Sequence, residues 1–412
     1  MKLLIVTQYF WPETFVINRI VELLALERVS VTVITGKPNY PGGQIFEGYA
    51  AWGGTTEKFD WGDIVRVPIL PRGKKSRWRL TLNYLSFIAS SALFGPWLLR
   101  GKKFDLIFVY APSPILQAIP AMLFARLRSI PLVVWVQDLW PESLSATGHL
   151  KNLRLLAMIA FCVKRIYRGC DRILVQSRSF IPSVVAMTDR AEKVRYFPNP
   201  ALVGIGCPPT QKARELIEIL RQNFCIVFAG NLGSAQGLDV IVETARLLLS
   251  NLNIRIVLVG SGSQEPWIEA QKSMHGLSNL ILAGRYDSSD MPSIFEASSA
   301  LLVTLKSTPV FALTVPSKVQ SYLAAGRPIV AALDGEGALV IKESGAGLCS
   351  PAGDARALAA SISHLSRLAP LERKNMGECG QAYFEKNFEP EQLTRDLVEH
   401  FRQVIEDRGM TK

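Results

Sequence analysis

Short apolar runs recur along the whole chain, separated by segments in which apolar residues return at helical spacing. That alternation predicts strands joined by helices, the pattern of doubly wound α/β domains. In the first half the strand runs are 3–7, 31–35, 64–67, 106–109, 132–136 and 172–175. The runs 106–109 and 132–136 are apolar without a break, as parallel strands covered on both faces would be. Helical spacing marks 18–26 and 115–128. A second series of strands follows at 225–229, 255–259, 280–283, 300–304, 329–332 and 347–349, with helices near 238–249, 290–296 and 355–366. The tail 389–406 places Leu393, Leu397, Phe401 and Val404 on one helical face, and is expected to cross back and brace the first domain.

The segment 196–200 and the Gly/Pro-rich 204–209 read as a linker. The predicted organisation is therefore a Rossmann-like domain over 1–200, a second over 201–385 and a C-terminal helix within 386–412, the two domains facing each other across a cleft. A chain of 412 residues suits two such domains.

Charge adds a feature that periodicity does not. The net charge is +11, and its distribution is uneven. Between 66 and 103 lie Arg66, Arg72, Lys74, Lys75, Arg77, Arg79, Arg100, Lys102 and Lys103 with no acidic residue. A second acid-free stretch, 143–170, carries Lys151, Arg154, Lys164, Arg165 and Arg168. The uncharged segment 80–99 is long enough to span a bilayer. Asn83, three serines and Gly95-Pro96 argue against a span, as do basic flanks at both ends. A buried core helix and a contact with anionic lipid both remain open for it. No recognition motif accompanies the charge, so nucleic acid is not the expected partner. Four scattered histidines and six scattered cysteines offer no metal-ligand spacing, and the cysteine pattern suits a reducing cytoplasm. The first seven residues are too short an apolar run for a signal peptide and read as a strand.

Candidate chemistry clusters in loops that follow predicted strands, where α/β sheets bind ligands. The run 314–331 reads as loop, helix start, glycine stop and buried strand, with Pro316 in the first turn and Gly326 at the end. Lys318 opposes the helix dipole there, a penalty that a bound phosphate would reverse. Thr314, Val315, Ser317, Gln320 and Ser321 flank it. Gly230, Asn231, Gly233, Gln236 and Gly237 form a loop that could present an anion nest, followed by Gly260 after the next strand and Arg285-Tyr286 after the third. Arg285 suits a phosphate and Tyr286 a base. In the first half, Gln137, Asp138 and Glu142 follow the 132–136 strand, and Glu13 and Thr14 follow the first. Against these stand plainer readings: a solvated lysine, ordinary strand-to-helix turns and helix-capping carboxylates.

Taken in order, the segments Phe-Ala-Gly-Asn-Leu-Gly, Val-Leu-Val-Gly-Ser-Gly, Leu-Ala-Gly-Arg-Tyr and Val-Pro-Ser-Lys…Tyr-Leu-Ala-Ala-Gly-Arg-Pro resemble glycosyltransferase family 4. So do the N-terminal Tyr-Phe-Trp-Pro-Glu and Trp-Val-Gln-Asp-Leu-Trp-Pro-Glu-Ser. The nearest branch is the bacterial exopolysaccharide and colanic-acid type. The resemblance implies a GT-B fold and a retaining hexosyltransferase. The donor would be a nucleotide sugar, with UDP-glucose the leading choice, and the acceptor a lipid-linked saccharide. It also implies a cytoplasmic enzyme, peripheral on the inner membrane face through 66–103, needing no cofactor and no metal.

Residue by residue, it assigns Lys318, Arg285, Asp138 and Glu142 to the chemistry, the second-domain loops to the donor, and Glu13, Thr14 and Gln137 to the acceptor. Departures stand out. Asn231 and Gln236 occupy positions where many members carry Arg and Lys. The family's two glutamates are replaced by Leu313 and Ser321, and its frequent histidine by Gln137. An inactive nucleotide-sugar-binding homologue and a sugar-nucleotide epimerase are the alternatives.

Overall fold

The structure, a computed structural model, describes residues 1–73, 77–146, 150, 152–201 and 208–410. Lys74, Lys75, Lys151 and most of the 204–209 linker lie outside the described residues. The chain divides into two compact units, Met1–Pro198 with Pro390–Lys412, and Asn199–Glu389.

The first unit is an eight-stranded sheet of β1 (Lys2–Val6), β2 (Ser30–Gly36), β3 (Thr55–Phe59), β4 (Gly62–Val67), β5 (Leu106–Ala111), β6 (Leu132–Val136), β7 (Arg172–Val175) and β8 (Val194–Tyr196). Its order is β3-β4-β2-β1-β5-β6-β7-β8, and every pairing is parallel except β3 with β4. Residues Leu3 to Val6 and Leu106 to Val109 are buried on both faces, which is why the apolar runs identified them. β3 and β8 were not predicted. The sequence Thr-Thr-Glu-Lys-Phe of β3 is largely exposed, because it sits at the sheet edge, and β8 has only three residues, the last of which, Tyr196, opens the segment that reads as a linker.

The helix Arg77–Leu98 runs unbroken through Gly95-Pro96, contrary to the expected break. Pro96 lies in the last turn, where a missing N–H forfeits a single bond to the Ala92 carbonyl. Asn83, Phe87 and Ser91 are buried on one side of this helix, while Trp78, Leu85, Leu93 and Trp97 are exposed on the other. Among the described residues no helix is long and apolar enough to cross a membrane. Part of the basic run is spent internally. Arg66 is fully buried, ion-paired with Glu57 and donating to the Trp11 carbonyl at 2.6 Å, and Lys102 pairs with Asp63. Arg66 is therefore not a surface charge, as the sequence had suggested.

The C-terminal helix Pro390–Met410 returns to this unit. Leu393, Leu397, Phe401 and Val404 join the core of Ile17, Ile20 and Leu24, and Phe401 meets Phe108 edge-on at 5.1 Å. The predicted apolar face is the face that packs.

The second unit is a six-stranded parallel sheet of β9 (Phe224–Ala229), β10 (Ile254–Val259), β11 (Leu280–Gly284), β12 (Ala300–Thr304), β13 (Ile329–Ala332) and β14 (Gly347–Ser350), ordered β11-β10-β9-β12-β13-β14. The order reverses between β9 and β12, so their carboxyl ends form the switch point where such sheets bind ligands. The helix Ser317–Ala324 starts one residue later than read, with Pro316 as its cap in extended geometry. Gly326 closes it at φ +62°, donating to the Leu323 carbonyl at 3.1 Å. Asp290 precedes the helix Met291–Ala297 without a side-chain bond to its first turn. Its carboxylate instead accepts from the backbone N and the Oγ1 of Thr210 at 2.8 and 2.9 Å.

Candidate functional site

β9 and β10 are each followed by a glycine whose backbone favours glycine alone: Gly230 at φ +137° and Gly260 at φ +141°. The two loops lie backbone on backbone. Gly230 donates to Val259 O and Gly260 to Gly284 O, each at 2.8 Å, and Leu232 donates to Ser261 O at 2.9 Å. A Cβ at Gly260 would lie 1.9 Å from the Gly230 carbonyl oxygen. With Gln236 N–H also bonded to Gly233 O at 3.1 Å, several of the amides expected to form an anion nest are already spent. The turn before Gly237 is docked on the end of β12, where Thr304 Oγ1 donates to the Gln236 carbonyl at 2.5 Å.

The cation of this region is Lys318. Its stem lies against Gly230, where an added Cβ would sit 2.7 Å from Lys318 Cε. Its ammonium stands over the Phe228 ring, 3.6 Å from the centroid, and donates to Gln236 Oε1. Burial pulls its pKa down to about 7, with no carboxylate opposing that shift. Gly230, Gln236, Gly260 and Lys318 are thus brought together at the ends of β9 and β10. The arrangement holds an uncompensated cation that an oxyanion could approach.

Other predicted donor residues are placed differently. Val315 and Gln320 are buried. With its amide nitrogen turned toward the helix start, Gln320 donates to the Pro316 and Ser317 carbonyls at 3.0 and 3.1 Å. Thr314 Oγ1 donates to Val310 O at 3.1 Å, and Ser321 Oγ to Ser317 O at 3.3 Å. Ser317 and Asn231 are exposed, and the Asn231 amide leans over Gly233, within 2.6 Å of where a Cβ would be. Arg285 is exposed, and its carbonyl accepts from Lys212 Nζ at 2.7 Å. The same ammonium covers the Tyr286 ring at 4.4 Å, so one face that a base would use is taken.

In the first unit, Glu13 is buried and its carboxylate accepts from the backbone N–H groups of Asn39 (2.8 Å), Tyr40 (2.7 Å) and Phe10 (3.2 Å). It ties the loops after β1 and β2 together. Burial nevertheless lifts its pKa to about 7 against the pull of those donors. Thr14 beside it is exposed. Gln137 is buried, its carbonyl accepting from Gln176 Nε2 at 3.3 Å while its own Nε2 has no hydrogen-bond partner among the described residues. Asp138 lies beyond the end of β6, where burial raises its pKa to about 7, and its charge is felt by Tyr84 and Tyr110. Glu142 is exposed in the first turn of the helix Glu142–Ala146, so it is not a buried strand-end carboxylate.

Sequence reasoning missed an aromatic cluster beside these residues. Tyr9 stacks on Phe15 at 5.3 Å, Tyr40 tilts against both, and the Arg72 guanidinium stands 5.1 Å from the Tyr40 ring centre. Tyr84 hydrogen-bonds to Tyr9. The group comes from several loops and one helix with no shared motif, so only folding reveals it.

Two Rossmann-like units of this kind are the GT-B fold, shared with solved structures on which the chain superposes. Residues 223–367 match the family model described as glycosyl transferases group 1, and residues 14–200 match the glycosyl transferase 4-like domain. The chain belongs to this glycosyltransferase family, and its exopolysaccharide-type relatives agree. It is 25% identical to the putative colanic acid biosynthesis glycosyl transferase WcaI of Escherichia coli over 417 residues, spanning 98% of this chain and 100% of that protein. It is 25% identical to the probable glycosyltransferase WbjE of Pseudomonas aeruginosa over 328 residues, 77% of this chain and 79% of that protein. The structure of HepE from Anabaena, solved with UDP, superposes with a TM-score of 0.69 at 14% identity, covering 98% of this chain and 100% of that one.

Proposed function

We propose that this glycosyltransferase moves a hexose from a UDP-sugar, UDP-glucose foremost, to a lipid-linked saccharide in exopolysaccharide synthesis. The observation that carries the donor half is Lys318, a half-buried ammonium with no carboxylate beside it, packed against Gly230 and bonded to Gln236 at the sheet's switch point. The leaving diphosphate is the ligand that best suits it. HepE, similar in fold, has been solved with UDP-glucose bound, and WcaI, similar along nearly the whole chain, is described as a putative colanic acid biosynthesis glycosyl transferase.

The reaction proceeds with retention. The bond from the sugar C1 to the β-phosphate oxygen breaks as the acceptor oxygen bonds C1 on the same face. The acceptor proton passes to the departing phosphate oxygen. Lys318 neutralises the charge growing on that diphosphate, the role a metal plays elsewhere, so turnover needs no divalent ion. With both family glutamates replaced, Ser321 is the group left to approach the ribose. In the first unit, Asp138 among Tyr84 and Tyr110 receives the acceptor hydroxyl, and the ring cluster of Tyr9, Tyr40 and Tyr84 offers flat apolar faces for sugar. The basic residues left exposed between 66 and 103 hold the enzyme peripherally on the anionic cytoplasmic face of the membrane.

Incubating the enzyme with UDP-glucose and a prenyl-diphosphate-linked sugar, and reading product anomer by NMR, tests the reaction. An α-linked product from the α-donor is expected, and a β-linked one would overturn retention. Binding of UDP-glucose without any transfer would favour the inactive-homologue alternative.

A further inference from the structure

Between the helices Arg77–Leu98 and Ala118–Arg128 lies a cavity of about 350 Å³. Its floor is Leu4 and Val6 of β1 with Ile34 of β2, and its walls include Ala92, Ala121 and Phe124. It is more than twice the about 150 Å³ of an apolar cavity that accepts benzene. Gly95 deepens it, because a Cβ there would press on Ile34 Cδ1 at 3.3 Å. Two polar features interrupt the apolar wall. Ser91 Oγ is buried without a hydrogen-bond partner among the described residues, and Pro96 supplies no N–H to the Ala92 carbonyl.

The groove opens onto exposed apolar side chains: Leu123 and Leu127 of its own lining are 45% and 80% exposed, and Leu93, Phe94 and Trp97, elsewhere on the opposite helix, are exposed as well. Contiguous apolar surface of this kind marks an interaction site. Its charge is one-sided. Arg126 lines it and no acidic residue does. Arg128 donates to the Lys102 carbonyl at 3.2 Å, which brings the basic end of one helix beside the Arg100–Lys103 exit of the other. Hydrocarbon walls ending at exposed guanidinium groups complement an amphiphile with an apolar chain and an anionic head.

We infer that this groove takes one acyl chain of an anionic phospholipid, whose phosphate meets Arg126 and Arg128. The inference rests on the peripheral-membrane reading above and gives it a specific lipid pocket rather than a diffuse basic surface.

The test uses the full chain and vesicles of phosphatidylcholine containing phosphatidylglycerol, a fraction of which carries a photoactivatable diazirine on its acyl chain. Labelled peptides are mapped after irradiation. Label on 91–99 and 120–127 is expected, falling about tenfold in Ala92→Phe, which fills the groove. Arg126→Glu should lower labelling as well, and thermal melting checks that both variants are folded. Label confined to the exposed face around Leu153 and Phe161, with sedimentation on the vesicles intact, would overturn the groove and leave membrane binding standing. Failure of the wild-type chain to sediment with these vesicles would overturn the membrane reading and the groove with it. Labelling of the wild-type groove alone refutes or supports the inference even if Ala92→Phe does not fold.

Discussion

Lys318 makes a prediction about protons. In the free protein its pKa is drawn down to about 7 by burial, with no anion nearby to hold the charge. A diphosphate bound against it supplies that anion and restores the pKa toward the ordinary lysine value. Binding then takes up a proton whenever the free site is neutral. At pH 8 about nine-tenths of the free sites are neutral, so about 0.9 proton enters per donor bound, against about 0.1 at pH 6. Affinity accordingly falls by about tenfold per pH unit above 7. Calorimetric titration with UDP-glucose in buffers of different ionisation enthalpy reads the proton number directly, and this ligand has no secondary phosphate ionisation to confuse it. Lys318→Gln should abolish the buffer dependence and weaken binding by about 10- to 100-fold, the worth of a charged hydrogen bond. A buffer-independent enthalpy at pH 8 in the wild type, or an unchanged slope in Lys318→Gln, would refute the assignment of this ammonium to the diphosphate.

Four further outcomes follow from the same geometry. Asp138 ionises as pH rises through about 7, so kcat should climb over about pH 6–8 and lose that limb in Asp138→Asn; a retained limb would remove Asp138 from the reaction. Glu13 has a folded pKa raised from 4.5 to about 7, so its contribution to stability is greatest below 4.5 and declines as pH rises through about 7. Melting temperatures between those limits should be less pH-dependent in Glu13→Gln, and parallel curves would contradict the account. Gly260→Ala forces a Cβ against the Gly230 carbonyl at positive φ, costing about 3 kcal/mol in urea unfolding and donor binding with it; a wild-type midpoint would show that the loops can part. Transfer should continue in EDTA, and a loss restored by magnesium would assign the diphosphate to a metal instead.

Much of the fold was legible because parallel strands buried on both faces leave continuous apolar runs, as at 3–7, 106–109 and 225–229. Thr55–Phe59 left none, since an exposed edge strand does not have to be apolar. Pro96 misled because its effect depends on its place in the helix, and that place was unknown. Arg66 read as surface charge, although Glu57, its partner from the neighbouring antiparallel strand, takes it inside. In the candidate region the turns at Gly230, Gly237 and Gly260 were legible, because positive φ demands glycine whatever the ligand. The sequence cannot show that Lys212 lies on one face of the Tyr286 ring. The cluster of Tyr9, Tyr40, Arg72 and Tyr84 was invisible for a related reason: its members are far apart in the chain and share no spacing.

The central claim is that the second unit binds a nucleotide-diphosphate sugar through Lys318. Calorimetric titration of the purified chain with UDP, GDP, UDP-sugars and GDP-sugars, in the absence of metal, tests it most directly. The account predicts micromolar binding of the uridine ligands that Lys318→Gln weakens. Silence across the panel from folded protein, or binding that Lys318→Gln leaves intact, would contradict it.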